Sequence, residues 1–125
     1  MNLKNKKILI TGATGGIGNS LVEKFNSFGA LIFATGTNQK KLEDLKNKFN
    51  NINVEKLKLD EHDKIEKFID NVAEKMDGID VLVNNAGINL DNLSIRLSEE
   101  NWKKVLDINL TASFLMSKFV IKKNA

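Results

Sequence analysis

Glycines recur at close spacing near the start of the chain, in the stretch Thr11-Gly12-Ala13-Thr14-Gly15-Gly16-Ile17-Gly18. The stretch follows a short apolar run and precedes a segment of helical period, so it joins a predicted strand to a predicted helix. Glycine permits tight turns and close approach of the backbone to a ligand, and the first N–H groups of a helix can donate to an anion. These features predict a loop that binds the pyrophosphate of a dinucleotide; the alternative is a plain glycine-rich turn.

The glycines of this loop suit different tasks. Gly12 is placed for the tight turn after the strand, and Gly18 would let the helix pack closely on that strand. Gly16 or Gly15 would let the backbone approach the pyrophosphate.

The end of the second predicted strand indicates which dinucleotide is bound. An acid at this point favours NAD, because it accepts from the ribose 2′-hydroxyl and repels a 2′-phosphate. Here residues 34–42 contain no carboxylate. Thr37 and Asn38 can donate to a phosphate, and Lys40 or Lys41 could add charge, although no arginine is present to bind it bidentately. The pattern favours NADP(H), and the alternative is that these polar residues form only a solvated turn.

Short apolar runs alternate with helical segments, as in βαβ units with a parallel sheet. We predict strands at 7–11, 31–35, 54–59 and 81–83, with the third nearer an edge because its alternation is imperfect. The intervening helices should cover the sheet through apolar positions on one face. Those positions are Ile17, Leu21, Val22, Phe25 and Phe28, then Leu42, Leu45 and Phe49, then Ile65, Phe68, Ile69, Val72 and Met76.

A last helix is predicted over 99–122, with Ser98 as its N-cap. Its second half is apolar almost all round, which is typical of a helix buried on more than one side. Such a helix requires a partner beyond a four-strand sheet, either further chain or another subunit.

Composition limits the classes of function. The 125 residues, 42% hydrophobic and 28% charged, predict one domain over residues 1–125. The absence of cysteine excludes thiolate metal sites, and the presence of only one histidine, His62, excludes a multi-histidine metal site. We expect His62 to be exposed and without a role. A net charge of +3, spread along the chain, does not indicate nucleic acid. The absence of cysteine indicates a reducing cytosol, and no apolar run approaches the ~20 residues that span a bilayer, so we expect a cytoplasmic protein with no membrane partner.

Three motifs together resemble the short-chain dehydrogenase/reductase family. Thr11, Gly12, Gly16 and Gly18 match its TGxxxGxG pattern, residues 84–87 read NNAG, and Asn109 stands where the family has a helix asparagine. Residues 84–122 resemble in particular the 3-oxoacyl-[acyl-carrier-protein] reductases of bacterial fatty-acid synthesis. The resemblance implies a Rossmann-like doubly wound α/β fold with a parallel sheet of order 3-2-1-4, truncated here before the fifth strand.

The resemblance also implies roles for individual residues. Asn109 would organise a water in the proton relay behind the catalytic lysine, although a purely structural bridge is an equal alternative. Asp60 and Glu61 would lie at the adenine edge, and Thr37 beside the adenosine 2′-phosphate. The remaining cofactor contacts, around the pyrophosphate and the nicotinamide ribose, would be Gly12, Ala13, Thr14, Gly15, Gly16, Ile17, Gly18, Asn85, Ala86 and Gly87.

In this family a tyrosine donates the proton when hydride from the nicotinamide reduces a ketone. The chain contains no tyrosine, and it is about half as long as such enzymes, so we expect the 125 residues alone to be inactive. The full-length parent would reduce acyl-carrier-protein thioesters with NADPH, as a homo-oligomer resembling the family's tetramers. Two alternatives stay open: a dinucleotide-binding module without catalysis, and a reductase of another small ketone or a sugar.

Overall fold

The computed structural model describes residues 3–58, 60–85 and Val120. Four strands alternate with three helices, and a 3₁₀ turn (His62–Lys64) precedes the third helix. The strands are β1 (Lys7–Ile10), β2 (Leu31–Gly36), β3 (Asn53–Lys56) and β4 (Val81–Val83). The helices are α1 (Gly16–Ser27), α2 (Gln39–Lys48) and α3 (Ile65–Met76).

The four strands form one parallel sheet in the order β3-β2-β1-β4. This confirms the predicted Rossmann-like doubly wound architecture and the edge position of β3. The third strand ends at Lys56, before the predicted residue 59. Lys56 pairs with Gly36, the last residue of β2, so β3 has no further strand to pair with beyond that point.

Hydrophobic side chains pack on both faces of the sheet, because successive residues of a strand point to opposite faces. On one face Leu9 and Phe33 pack against α3, and the Phe33 and Phe68 rings meet edge to face with centroids 5.9 Å apart. On the other face Ile8 and Ile32 pack with Val22 of α1. Helices therefore cover both faces, as a buried parallel sheet requires.

The apolar periodicity predicted the inward face of α3 correctly, since Ile65, Phe68, Ile69, Val72 and Met76 are all buried. The prediction for Ile17 is wrong, because this side chain is 72% exposed. Gly18 and Val22, four residues apart, are the buried positions of α1. The close packing of Gly18 on the glycine loop sets the rotation of the helix and leaves Ile17 outside.

No helix in the described part of the chain is both long and apolar enough to cross a bilayer. The predicted last helix lies outside the described residues except for Val120, which is helical and packs into the core on the α3 face.

Candidate functional site

The glycine loop lies at the carboxyl edge of the sheet, where the ends of β1, β2 and β4 meet. Gly12 has φ +61°, a left-handed conformation that glycine adopts without strain, so it makes the predicted tight turn. Ala13 is fully buried, and its N–H donates to the Thr35 carbonyl at 3.0 Å. The loop is thus fastened to the end of β2 through Ala13, whose side chain lies in the core.

Gly18 is required by the packing of the loop itself. A Cβ at this position would stand 2.1 Å from the Gly12 oxygen and 2.8 Å from the Ala13 Cα. Both are backbone atoms that cannot move aside without opening the turn, so only glycine lets α1 approach the loop this closely.

Gly15 and Gly16 are under no comparable constraint. A Cβ at Gly15 would make one ordinary contact, 3.7 Å from the Gly12 oxygen, and one at Gly16 would meet no described atom within 4 Å. Gly15 has φ −79°, which any residue adopts. Both glycines are exposed at the N-terminus of α1, which has no side-chain cap and no acid in its first turn.

A hydrogen-bonded group joins the loop to the end of β4. The buried Thr11 hydroxyl donates to the Val83 carbonyl at 3.3 Å and accepts from the Asn85 N–H at 3.0 Å. The Asn85 side-chain amide donates to the Gly12 carbonyl at 3.3 Å. Asn85, predicted as a ribose contact, therefore also supports the turn at Gly12.

The end of β2 lies directly beside the loop. A Cβ at Gly36 would stand 3.1 Å from Thr14 Oγ1, so these two residues are in close contact. Thr37 is exposed at the strand end, and no acid lies there. The Asn38 Oδ1 accepts from the Lys41 N–H at 3.0 Å, which makes Asn38 the N-cap of α2. The sequence showed Asn38 as a polar residue but not as a helix cap.

Asp60 and Glu61 follow β3 at the same edge. Asp60 is exposed, whereas the Glu61 carboxylate pairs with the Lys64 ammonium at 2.6 Å. The hydrogen bond from Lys64 lowers the pKa of Glu61 below its ordinary value; burial opposes this shift, and the charges of Lys64, Lys58 and Lys56 add to it. The same pair raises the pKa of Lys64. Glu61 is therefore held in its charged form and turned toward the lysine.

His62 differs from its sequence-based expectation. It is half-buried rather than exposed, and its buried Nε2 has no hydrogen-bond partner among the residues that the structure describes. Nothing in the local sequence signals this burial, because the polar residues around His62 are typical of a solvated turn.

Three predicted site residues, Ala86, Gly87 and Asn109, lie outside the described residues. The other predicted positions of the loop and of the ends of β2, β3 and β4 are gathered at one edge of the sheet. An open α/β sheet binds its ligand at this edge.

Comparison with curated proteins identifies relatives along nearly the whole chain. It is 36% identical to the 3-oxoacyl-[acyl-carrier-protein] reductase FabG of Aquifex aeolicus, over 98% of this chain and 52% of that protein. It is 37% identical to the FabG of Rickettsia felis, over 98% of this chain and 50% of that protein. It is 35% identical to nodulation protein G of a Rhizobium species, over 93% of this chain and 48% of that protein. The chain thus spans about half the length of these relatives.

A solved structure of a short-chain dehydrogenase/reductase from Brucella melitensis superposes with a TM-score of 0.86 at 28% identity, over 98% of this chain and 54% of that one. The profile of the family described as short chain dehydrogenase matches residues 6–124. With the glycine loop, the strand order and this match in agreement, the chain belongs to the short-chain dehydrogenase family.

Proposed function

We propose that the glycine loop and the neighbouring strand ends bind NADP(H), and that the full-length protein reduces 3-oxoacyl-acyl-carrier-protein to the 3-hydroxyacyl form in fatty-acid synthesis. The open space over Gly16 is the observation that carries the cofactor assignment. Neither a contact nor a special backbone angle explains glycine at Gly15 or Gly16. A ligand that approaches the backbone closely does explain it.

The pyrophosphate fits this position electrostatically. Helix α1 presents an uncapped N-terminus with no acid in the first turn, so its N–H groups and the positive end of its dipole favour an anion. Helix α2, in contrast, is capped by Asn38. A dinucleotide laid along the carboxyl edge would pass from the loop toward the ends of β2 and β3 on its adenosine side and of β4 on its nicotinamide side.

We assign the cofactor contacts by position. Thr37 would lie at the 2′-phosphate, Asp60 at the adenine, and Asn85, Ala86 and Gly87 at the nicotinamide ribose. Glu61 would contribute through its backbone, since its carboxylate is paired with Lys64. The loop contacts would be Gly12, Thr14, Gly15, Gly16 and Ile17, with Ala13 and Gly18 holding the loop in shape.

The absence of an acid at the end of β2 supports NADP(H) over NAD(H). A 2′-phosphate placed near Thr37 would meet an exposed hydroxyl and no negative charge on residues 34–42. The lysines at positions 40 and 41 are exposed in the first turn of α2 and add positive charge there.

The substrate assignment rests on the relatives, of which the FabG proteins are named as reductases of 3-oxoacyl-acyl-carrier-protein. NADPH supplies the hydride in such a reduction. The chain contains no tyrosine to donate the accompanying proton, so in our proposal these residues hold the cofactor and Asn109 supports the proton relay. The full-length protein would act in the cytoplasm as a homo-oligomer.

A pair of glycine variants tests the cofactor assignment. Gly16→Ala should keep the stability of the wild type, since the methyl group meets no described atom, and should weaken NADPH binding by about 1–3 kcal/mol, or roughly 5- to 150-fold in Kd. Gly18→Ala should lower the free energy of unfolding by more than about 3 kcal/mol, because its Cβ overlaps the Gly12 oxygen.

Calorimetric titration with NADPH and thermal unfolding followed by circular dichroism separate the two effects. A Gly16→Ala variant that binds NADPH as tightly as the wild type would contradict the proposed loop contact. The substrate is tested in the full-length protein: activity with acyl-carrier-protein thioesters supports the proposal, and activity only with other ketones or sugars overturns it.

A further inference from the structure

Lysines from three separate segments of the chain meet at the amino edge of the sheet, opposite the glycine loop. The segments are residues 3–7 at the start of β1, 24–31 at the end of α1 and 46–53 at the end of α2. Each helix runs from the carboxyl end of one strand back to the start of the next, so the ends of α1 and α2 lie at this edge. We call the surface formed by these three segments the basic edge.

Hydrogen bonds hold the three segments together. The Asn5 N–H donates to the Gly29 carbonyl at 3.0 Å, which joins the first segment to the end of α1. The Asn51 side-chain amide donates to Asn26 Oδ1 at 2.9 Å, which joins α1 to the residues before β3. The basic edge is therefore one continuous surface, although its residues are far apart in the sequence.

The basic edge is charged more strongly than the chain as a whole. Its three segments contain six lysines and no aspartate or glutamate. Because the chain has a net charge of +3, the residues outside the basic edge carry a net charge of −3. The fold thus concentrates at one surface a charge that is spread along the sequence.

Acids on neighbouring elements compensate this charge only in part. Glu23 precedes Lys24 on α1 and is exposed. Asp77 and Asp80 lie before β4, at the opposite end of the sheet from β3. One oxygen of the Asp80 carboxylate accepts from the Lys7 N–H at 2.8 Å.

Two of the six lysines serve the fold itself. The Lys46 ammonium donates to the Asn50 carbonyl at 2.8 Å and also to the Ile52 carbonyl. The Lys7 ammonium donates to the Asp77 carbonyl at 2.6 Å. The four remaining lysines are exposed, namely Lys4, Lys6, Lys24 and Lys48.

The aromatic side chains of the basic edge are covered by its lysines. The Lys24 ammonium lies 5.3 Å from the centroid of the half-buried Phe28 ring, and Lys48 lies 5.3 Å from that of Phe49. Among the residues of the basic edge, all of which the structure describes, Leu31 is the exposed large apolar side chain. This surface is therefore polar and positive, with little apolar area to insert into a bilayer.

The residue types at the basic edge favour carboxylates over nucleic-acid phosphates as partners. The three segments contain no arginine, which binds phosphate bidentately, and their rings lie under lysines rather than open to stacking bases. The segments also contain six asparagines, whose amides can donate to carboxylates.

We propose that the basic edge is a docking surface for an acidic protein, whose carboxylates pair with the exposed lysines. The contact is electrostatic and is made by flexible, solvent-exposed side chains, so it forms rapidly, is weak and is sensitive to salt. The inference goes beyond the proposed cofactor binding and does not rest on it, because the two surfaces lie at opposite edges of the sheet.

A helical peptide with glutamate along one face is the probe, and the same peptide with glutamine in place of glutamate is its control. We expect the wild-type protein to bind the glutamate peptide at low salt, with a Kd that rises as salt is added, and not to bind the glutamine peptide. The triple variant Lys6→Gln, Lys24→Gln and Lys48→Gln should raise the Kd about tenfold, measured by calorimetry.

A second triple variant with the same change of net charge is the matched control. It replaces with glutamine three exposed lysines outside the basic edge, namely Lys56, Lys58 and Lys67. This variant should bind the glutamate peptide as tightly as the wild type. Circular dichroism confirms that both variants are folded. Carbodiimide joins carboxyl groups to amines, so cross-links to the peptide, located by mass spectrometry, should fall on lysines of the basic edge.

Three results would overturn the inference: no binding of the glutamate peptide at low salt, equal weakening by the two triple variants, or cross-links mainly outside the basic edge. Binding of anionic phospholipid vesicles or of single-stranded RNA without binding of the peptide would also overturn it and would assign the surface to that partner instead. NADPH should bind the first triple variant as it binds the wild type. If NADPH binds neither, the cofactor proposal fails while the peptide titration still decides the docking surface.

Discussion

Residues of one type serve different purposes within the glycine loop. Gly12 is needed for its positive φ, and Gly18 for the 2.1 Å approach that a Cβ would make to a backbone oxygen. Gly16 is needed by neither, which is why we connect it to a ligand. A motif reports that glycine is present at each position, whereas the contacts around each Cα show which physical constraint requires it.

The ion pair between Glu61 and Lys64 at the end of β3 lowers the pKa of Glu61, and this effect can be measured. Lys64→Met should raise the pKa of Glu61 toward its ordinary value, because the largest cause of the lowering is the hydrogen bond from Lys64. Lys58→Met should raise it less, since Lys58 acts only through its charge. NMR titration of the Glu61 carboxyl group measures both, and an unchanged pKa in Lys64→Met would contradict the assignment.

The lowered pKa of Glu61 also makes the stability of the fold depend on pH. The pKa of Glu61 is lower in the folded chain than its ordinary value, so the pair stabilises the fold above that value and the contribution is lost as pH falls through the lowered pKa. Because both side chains are substantially exposed, the contribution is small and is reduced further by salt.

At the scale of elements, the two helix N-termini beside the site are built differently. Helix α1 begins at glycines and leaves its N–H groups open, whereas α2 is closed by the Asn38 side chain. The open end lies where we place the pyrophosphate. The capped end lies beside Thr37, so side chains in the first turn of α2 rather than its backbone would decide selectivity for the 2′-phosphate.

Asn38 allows stability and cofactor selectivity to be tested separately. Asn38→Asp should keep the thermal stability, because aspartate caps a helix as well as asparagine and favours its dipole. The added carboxylate should repel a 2′-phosphate and raise the ratio of Kd for NADPH to Kd for NADH by about tenfold.

The neutral cap Asn38→Ser is the control and should leave the ratio of the two dissociation constants unchanged. Calorimetry with the two cofactors measures it. An unchanged ratio in Asn38→Asp would place the 2′-position away from the end of β2.

At the scale of the whole molecule, the position of β4 at the end of the sheet determines how we expect the chain to associate. Among the described strands β4 pairs only with β1, and Val81 is 39% exposed. An apolar edge strand with unpaired backbone groups is a template for another chain. We therefore expect the 125-residue chain to self-associate or aggregate when expressed.

Val81→Lys tests whether β4 is the associating edge. A charge on an edge strand discourages pairing, so this variant should sediment more as a monomer than the wild type at the same concentration. Leu31→Lys is the matched control: Leu31 is also apolar and 44% exposed, but it lies on an inner strand. Equal effects of both variants in analytical ultracentrifugation would attribute association to general hydrophobicity instead.

The sequence by itself determined the alternation of strands and helices, the inward face of α3 and the position of the glycine loop, whereas the order of the strands in the sheet was implied by the family resemblance. The first three features follow from local periodicity and from the conformational needs of glycine, both of which can be read along the chain. Only the tertiary structure decided the rotation of α1 that exposes Ile17, the capping role of Asn38, the pairing of Glu61 with Lys64 and the burial of His62 Nε2. Each of these depends on how the ends of elements fold and pack at the carboxyl edge, where the identity of a residue does not specify its neighbours.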